Sequence, residues 1–131
     1  MPTITVHDQT LAGQSVGEYA IDLLTERVTV RELIRSRVYQ EVQDYNRRRP
    51  ETFRGLVRPT DAEQALNGEY RVKHAREIDW RTQFERACDA FARNAFFVLI
   101  DDRQPESLDE EVTFTAATRV SFVKLVPLVG G

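Results

Sequence analysis

Gly130 and Gly131 close the sequence behind Leu125, Val126, Pro127, Leu128 and Val129, and they are the residues in it best suited to do chemistry. A glycine carboxylate can act as an acyl donor. Two residues without Cβ atoms also let the backbone thread a narrow channel that bulkier residues would block. The carboxylate, with a pKa of about 3.5, is ionised at neutral pH and is a poor donor until something activates it. Pro127 cannot donate a ladder hydrogen bond, so it helps detach the segment from a preceding strand.

The other reactive side chains do not assemble into a site. Cys88 falls in the helical stripe of Trp80, Phe84, Ala87, Phe91 and Ala95, so it is expected to be a buried structural thiol. His7 and His74 lie far from it in sequence, which leaves no Cys–His dyad and no metal-ligand spacing. Asp101, Asp102, Glu106, Asp109, Glu110 and Glu111 lack the spacing of an EF-hand loop and read as solvated turn residues. Arg47, Arg48 and Arg49 sit where a helix should end, suited to its dipole and to solvent. There is no P-loop and no Gly-x-Gly-x-x-Gly to hold a nucleotide. No base, nucleophile and oxyanion donor come together, so the chain is not expected to be an enzyme, and no catalytic or metal residue is assigned.

With 131 residues and 41% hydrophobic content, the chain fits a single domain spanning 1–131. A net charge of −3 argues against general nucleic-acid binding. One cysteine allows no internal disulfide and favours a reducing compartment. The N-terminus lacks the pattern of a secretory signal, and no stretch approaches the roughly 20 apolar residues of a membrane span. A soluble cytoplasmic protein is expected. Of its 18 basic residues only Lys73 and Lys124 are lysines. Arginine stays protonated and cannot accept an acyl group at ordinary pH, so the chain offers few sites for modifying itself.

The elements that must position the tail follow from periodicity. Ile4 and Val6 alternate with polar residues, Ala12, Gly13 and Gln14 interrupt, and Tyr19, Ile21 and Leu23 alternate again, which predicts a β-hairpin. Thr29 and Glu32 form a capping-box pattern, and Val30, Leu33, Ile34, Val38, Val42 and Tyr45 share one helical face, predicting a helix from about Val30 to Arg48 that Pro50 ends. Between Pro50 and Asp79 the pattern weakens, as in an insertion or surface excursion, with one short capped helix expected over Thr60 to Leu66. The Trp80 stripe predicts a helix to about Asn94. Phe96 to Ile100 reads as a central strand before the turn at Asp101 and Asp102, and Arg119 to Val126 reads as the last strand.

This order resembles the β-grasp fold of ubiquitin and its relatives, most closely over Thr3 to Arg48 and Phe97 to Gly131. Phe97 to Ile100, Asp101 to Gln104, Ser107 with Leu108, Val120 to Leu125 and the terminal glycines look like the ubiquitin series in order. The segment from Val126 to Gly131 is also similar to the glycine-ended tails of the bacterial sulfur carriers. The resemblance implies an α+β fold in which a mixed sheet wraps one helix, with a helical insertion at 50–95 before the third strand and a flexible tail at 126–131. It implies an acyl donor at Gly131 and Gly130, with Pro127, Leu128 and Val129 recognised by an activating enzyme of the ubiquitin-activating type. ATP and Mg would be used by that partner, and none would be bound by this chain. From the acyl-adenylate, transfer to a thiol gives a thioester and then an isopeptide bond on a target amine, with a conjugating enzyme and a deconjugating protease as further partners. Transfer to a sulfur donor instead gives a thiocarboxylate. A non-covalent ubiquitin-like binding module is the third reading, and the tail is incidental to it.

Overall fold

The computed structural model describes residues 2–60, 62–65, 69–72 and 77–125. The hairpin forms from β1 (Thr3–Gln9) and β2 (Ser15–Asp22), which pair antiparallel from Thr3 opposite Asp22 to His7 opposite Glu18. Gly13 turns the chain with φ +83°, a conformation that glycine adopts without steric cost. A short β3 (Arg27–Thr29) leads into α1 (Val30–Arg48). The Thr29 hydroxyl accepts from the Glu32 N–H at 3.1 Å and donates to the Glu32 carboxylate, so the expected cap is present with the hydroxyl making both contacts. The next helical donors are met from far along the chain, Val30 N–H by the Glu110 carbonyl and Arg31 N–H by that of Leu108. At the other end Arg49 takes a left-handed conformation, and its N–H closes on the Tyr45 carbonyl.

Residues 62–64 correct the sequence reading. In place of a helix over Thr60 to Leu66, Ala62–Gln64 is strand β4, paired antiparallel with β5 (Tyr70–Val72). Strand pairing with a segment further along the chain overrides a local capping signal, which is only a weak prior. Phe53 extends this ribbon by exchanging both backbone hydrogen bonds with Tyr70, at 2.7 and 2.9 Å. The stretch from Pro50 to Asp79 also reaches inward: Phe53, Leu56, Val72 and Ile78 are buried in the common core.

Helix α2 (Trp80–Ala92), capped by the Asp79 carboxylate, packs against α1 and turns through Asn94 into β6 (Phe96–Ile100). A three-residue β7 (Glu111–Thr113) pairs with β3, a ribbon too short to show in the sequence pattern. The last strand, β8 (Val120–Lys124), fills the gap between β1 and β6. The four-stranded sheet thus runs β2-β1-β8-β6, with β8 parallel to β1 and antiparallel to β6. One face is apolar: Ile4, Val6, Ile21, Val98, Val120 and Phe122 meet Leu33, Ile34, Val38 and Val42 of α1 in one buried cluster. The fold is mixed α/β, a mixed sheet with two helices.

Candidate functional site

The proposed acyl donors Gly130 and Gly131, and the recognition residues Pro127, Leu128 and Val129, lie outside the described residues. What can be built is the root from which they follow. Strand β8 ends at Lys124, opposite Phe96, and Leu125 beyond it is 40% exposed.

Lys124 continues the inward series of Val120 and Phe122, so its stem enters the fold and its ammonium donates to the Gly55 carbonyl at 2.7 Å. Burial, with the Arg37 charge nearby, lowers its pKa, while Asp8, Glu41 and Glu69 act in the opposite sense. The neighbouring backbone is held the same way. The Tyr19 hydroxyl donates to the Arg54 carbonyl at 3.2 Å, and the Glu41 carboxylate accepts from the Leu56 N–H at 3.1 Å. Side chains from β2, β8 and α1 therefore fasten three consecutive residues, Arg54 to Leu56, across the end of the sheet. Gly55 is required there by space, since a Cβ would fall 1.9 Å from the buried Phe53 ring.

Beneath this strap lies an ionic cluster. Asp8 is the third inward residue of β1 after Ile4 and Val6, and Arg37 and Glu41 are one helical turn apart on the buried face of α1. Arg37 grips both Asp8 oxygens, the second at 2.7 Å, and its Nε donates to Glu41 at 3.2 Å. The rings of Tyr19 and Phe122 cover the guanidinium at 4.9 and 4.6 Å. Burial works against the Arg37 charge, yet the Glu41 and Asp8 carboxylates outweigh it and hold its pKa above the ordinary range. Burial pushes Glu41 up despite Arg37 and the Leu56 N–H, and pushes the Tyr19 phenol up to about 12. A cavity of about 250 Å³ opens beside the cluster, lined by Asp8, Gln14, Val16, Tyr19, Arg54 and Lys124 among others.

The remaining sequence candidates stay dispersed. Cys88 is half-buried on α2, and burial raises its pKa, which disfavours the reactive thiolate. Asp101 and Asp102 are exposed turn residues with positive φ, and the Asp101 carboxylate accepts from the Arg119 N–H at 2.9 Å. His7 stands 3.4 Å from Glu18 across the hairpin. His74 and Lys73 lie outside the described residues. Among the described residues there is no cluster of three or more metal-ligating side chains, and no helix is long and apolar enough to cross a membrane. The buried cluster escaped the sequence reading although its signal was available: Asp8 keeps the parity of Ile4 and Val6, and Arg37 and Glu41 fall on the stripe of Leu33, Ile34, Val38 and Val42.

Compared with family models, curated proteins and solved structures, the chain matches none.

Proposed function

We propose that the chain is a ubiquitin-like protein modifier of the β-grasp type, activated at the Gly131 carboxyl by an ATP-dependent enzyme and transferred to a target amine. One observation carries this reading. The last strand lies between β1 and β6 at the centre of the sheet, parallel to the first, and ends at an exposed Leu125, after which the sequence runs through Pro127 to Gly130 and Gly131. A central strand gives the root a rigid mount, and a glycine pair gives the tip a narrow cross-section.

The chemistry assigns nucleotide work to the partner. In the activating enzyme the Gly131 carboxylate attacks the α-phosphate of ATP and pyrophosphate leaves, giving the acyl-adenylate. A thiolate of the partner then displaces AMP to form the thioester, and a target amine displaces the thiolate and loses a proton to form the isopeptide bond. This chain contributes the acyl group and the surface that presents it, and works without catalytic residues of its own. Lys124 supports transfer to other proteins over self-linkage, because its ammonium is drawn inward onto Gly55. A cytoplasmic setting, where ATP and reduced thiols coexist, suits the reading.

The test is incubation of the chain ending at Gly131 with ATP, Mg and an activating enzyme of the ubiquitin-activating type from the same genome, followed by intact mass measurement. An adenylate or a protein conjugate is the expected product. A gain of one sulfur atom would reassign the chain as a sulfur carrier, and no ATP-dependent product at all would leave only the non-covalent module.

A further inference from the structure

The open edge of the four-stranded sheet carries a feature that the acyl chemistry does not use. Strand β2 is the last on its side, and among the described residues it pairs only with β1. In an antiparallel pair, residues that exchange hydrogen bonds across the pair alternate with residues whose N–H and C=O point away from it. Leu23 N–H donates to the Pro2 carbonyl at 2.8 Å, and with Ile21 opposite Ile4 and Tyr19 opposite Val6 this fixes which residues face β1. The backbone groups of Glu18, Ala20 and Asp22 therefore face outward. All three residues are exposed, and these groups have no backbone partner among the described residues.

Such an edge is a template for a further strand, and sequences often block it with lysine, proline or a bulge. The eight residues of β2 contain no lysine and no proline, and the pairing is irregular only at its far end, between Asp8 and Gln9. Its charges are Glu18 and Asp22, with no base in the strand. Glu18 has His7 at 3.4 Å and Asp22 accepts from the Thr3 hydroxyl at 2.7 Å, but neither carboxylate has an arginine or lysine partner among the described residues. These two acids disfavour a second copy of the chain. The antiparallel register that uses all three outward residues would set Glu18 of each copy opposite Asp22 of the other, two like-charge pairs. They favour a strand with basic residues at those positions. Tyr19 alternates to the other face, toward α1, where a cavity of about 340 Å³ opens beside the strand with Tyr19, Tyr45 and Phe53 in its walls. Charges in that cavity are balanced, with Glu41 met by Arg37, Glu69 by Arg54, and Asp44 accompanied by Arg48, so it suits an uncharged side chain.

The geometry points to the outer edge of β2 as the place where an extended segment of a partner protein adds to the sheet as a further strand. Its basic side chains would lie opposite Glu18 and Asp22, and an apolar one, opposite Tyr19, would enter the cavity. The inference does not rest on the acyl-donor reading, since β1 separates β2 from β8.

A labelled peptide with the core Lys-Val-Thr-Val-Lys is titrated into the full chain, following anisotropy and hydrogen exchange at single amides. The expected result is saturable binding that high salt weakens and that slows exchange at the Glu18, Ala20 and Asp22 amides about tenfold or more. Ala20→Pro removes an N–H that β1 does not use, a change that an edge strand tolerates, and should weaken binding about tenfold or more with unchanged circular dichroism. The double variant Glu18→Lys, Asp22→Lys keeps the edge and should turn the preference toward the peptide Glu-Val-Thr-Val-Glu. No saturable binding, protection confined to other amides, or unchanged affinity in either folded variant would overturn the proposal. Equal binding of Lys-Pro-Thr-Pro-Lys would reduce it to charge attraction and overturn it. Concentration-dependent dimerisation that protects the same amides without peptide would overturn it in favour of a second copy.

Discussion

The Arg37 guanidinium keeps its charge inside the fold because Asp8 and Glu41 meet it on two sides while the Tyr19 and Phe122 rings cover its faces. Each member depends on the others, since a buried charge without its partner bears the whole desolvation cost. Arg37→Met keeps most of the stem but leaves two carboxylates buried together, and it should destabilise the fold by about 3–5 kcal/mol in urea unfolding. A loss below about 1 kcal/mol would mean that water or relaxation already screens the cluster. Tyr19 adds a pH dependence of definite sign. Its folded pKa of about 12 exceeds the ordinary 10, so the folded chain holds the phenolic proton more tightly than the unfolded chain. That contribution is complete below pH 10 and is lost as pH rises through 12. Tyr19→Phe should therefore flatten the fall in stability across this window, leaving the smaller slope from Tyr45 and Tyr70, whose pKa values burial also raises. At neutral pH the same variant loses the bond to the Arg54 carbonyl, a cost of about 0.5–1.5 kcal/mol. Unfolding curves taken at stepped pH check both effects.

At the scale of elements, the strap from Arg54 to Leu56 is tied to β8 through Lys124 and to α1 through Glu41, so hydrogen bonds join the root of the tail to the middle of the chain. Lys124→Met removes the bond to Gly55 but also relieves a buried ammonium, and the two effects partly offset. The balance should be a local loosening of about 1–2 kcal/mol, roughly tenfold faster hydrogen exchange at the Leu56 amide, with the β1–β2 amides unchanged. Exchange that rises equally in both places would show global destabilisation instead. This coupling could not be read from the sequence, because it runs between backbone carbonyls and side chains far apart in the chain. The long periodic elements could be read: α1 from Thr29 and its apolar stripe, the hairpin from Ile4, Val6, Tyr19 and Ile21, and β6 from its uncharged run. Three-residue strands carry no period to detect, so the sequence pattern gives no sign of β3, β5 and β7, and around β4 it offers only the capping signal of a short helix. Asp8, Arg37 and Glu41 occupy inward positions by parity and pitch, but polar residues at such positions are discounted by any search that looks only for apolar stripes.

At the scale of the whole molecule, the sheet is complete only when β8 inserts between β1 and β6, bringing Val120 beside Val6 and Phe122 beside Asp8. Of the strands that flank β8, β1 pairs otherwise only with β2 and β6 follows α2 with no other strand beside it, so without β8 the sheet divides into a hairpin and a lone strand. Burial of Val120 and Phe122, each worth roughly 1.5–3 kcal/mol, would be lost with their cover over Val6, Val98 and Arg37. A chain ending at Arg119 should therefore fail to fold cooperatively. A chain lacking only Gly130 and Gly131 retains every described contact and should unfold within about 0.5 kcal/mol of the full chain, yet give no ATP-dependent product with the activating enzyme. Gly131→Ala should fall between them in transfer while matching the full chain in stability. Because the two truncations separate folding from acyl transfer, an unchanged adenylation rate in the chain without its glycine pair would remove the tail from the chemistry while leaving the fold as described.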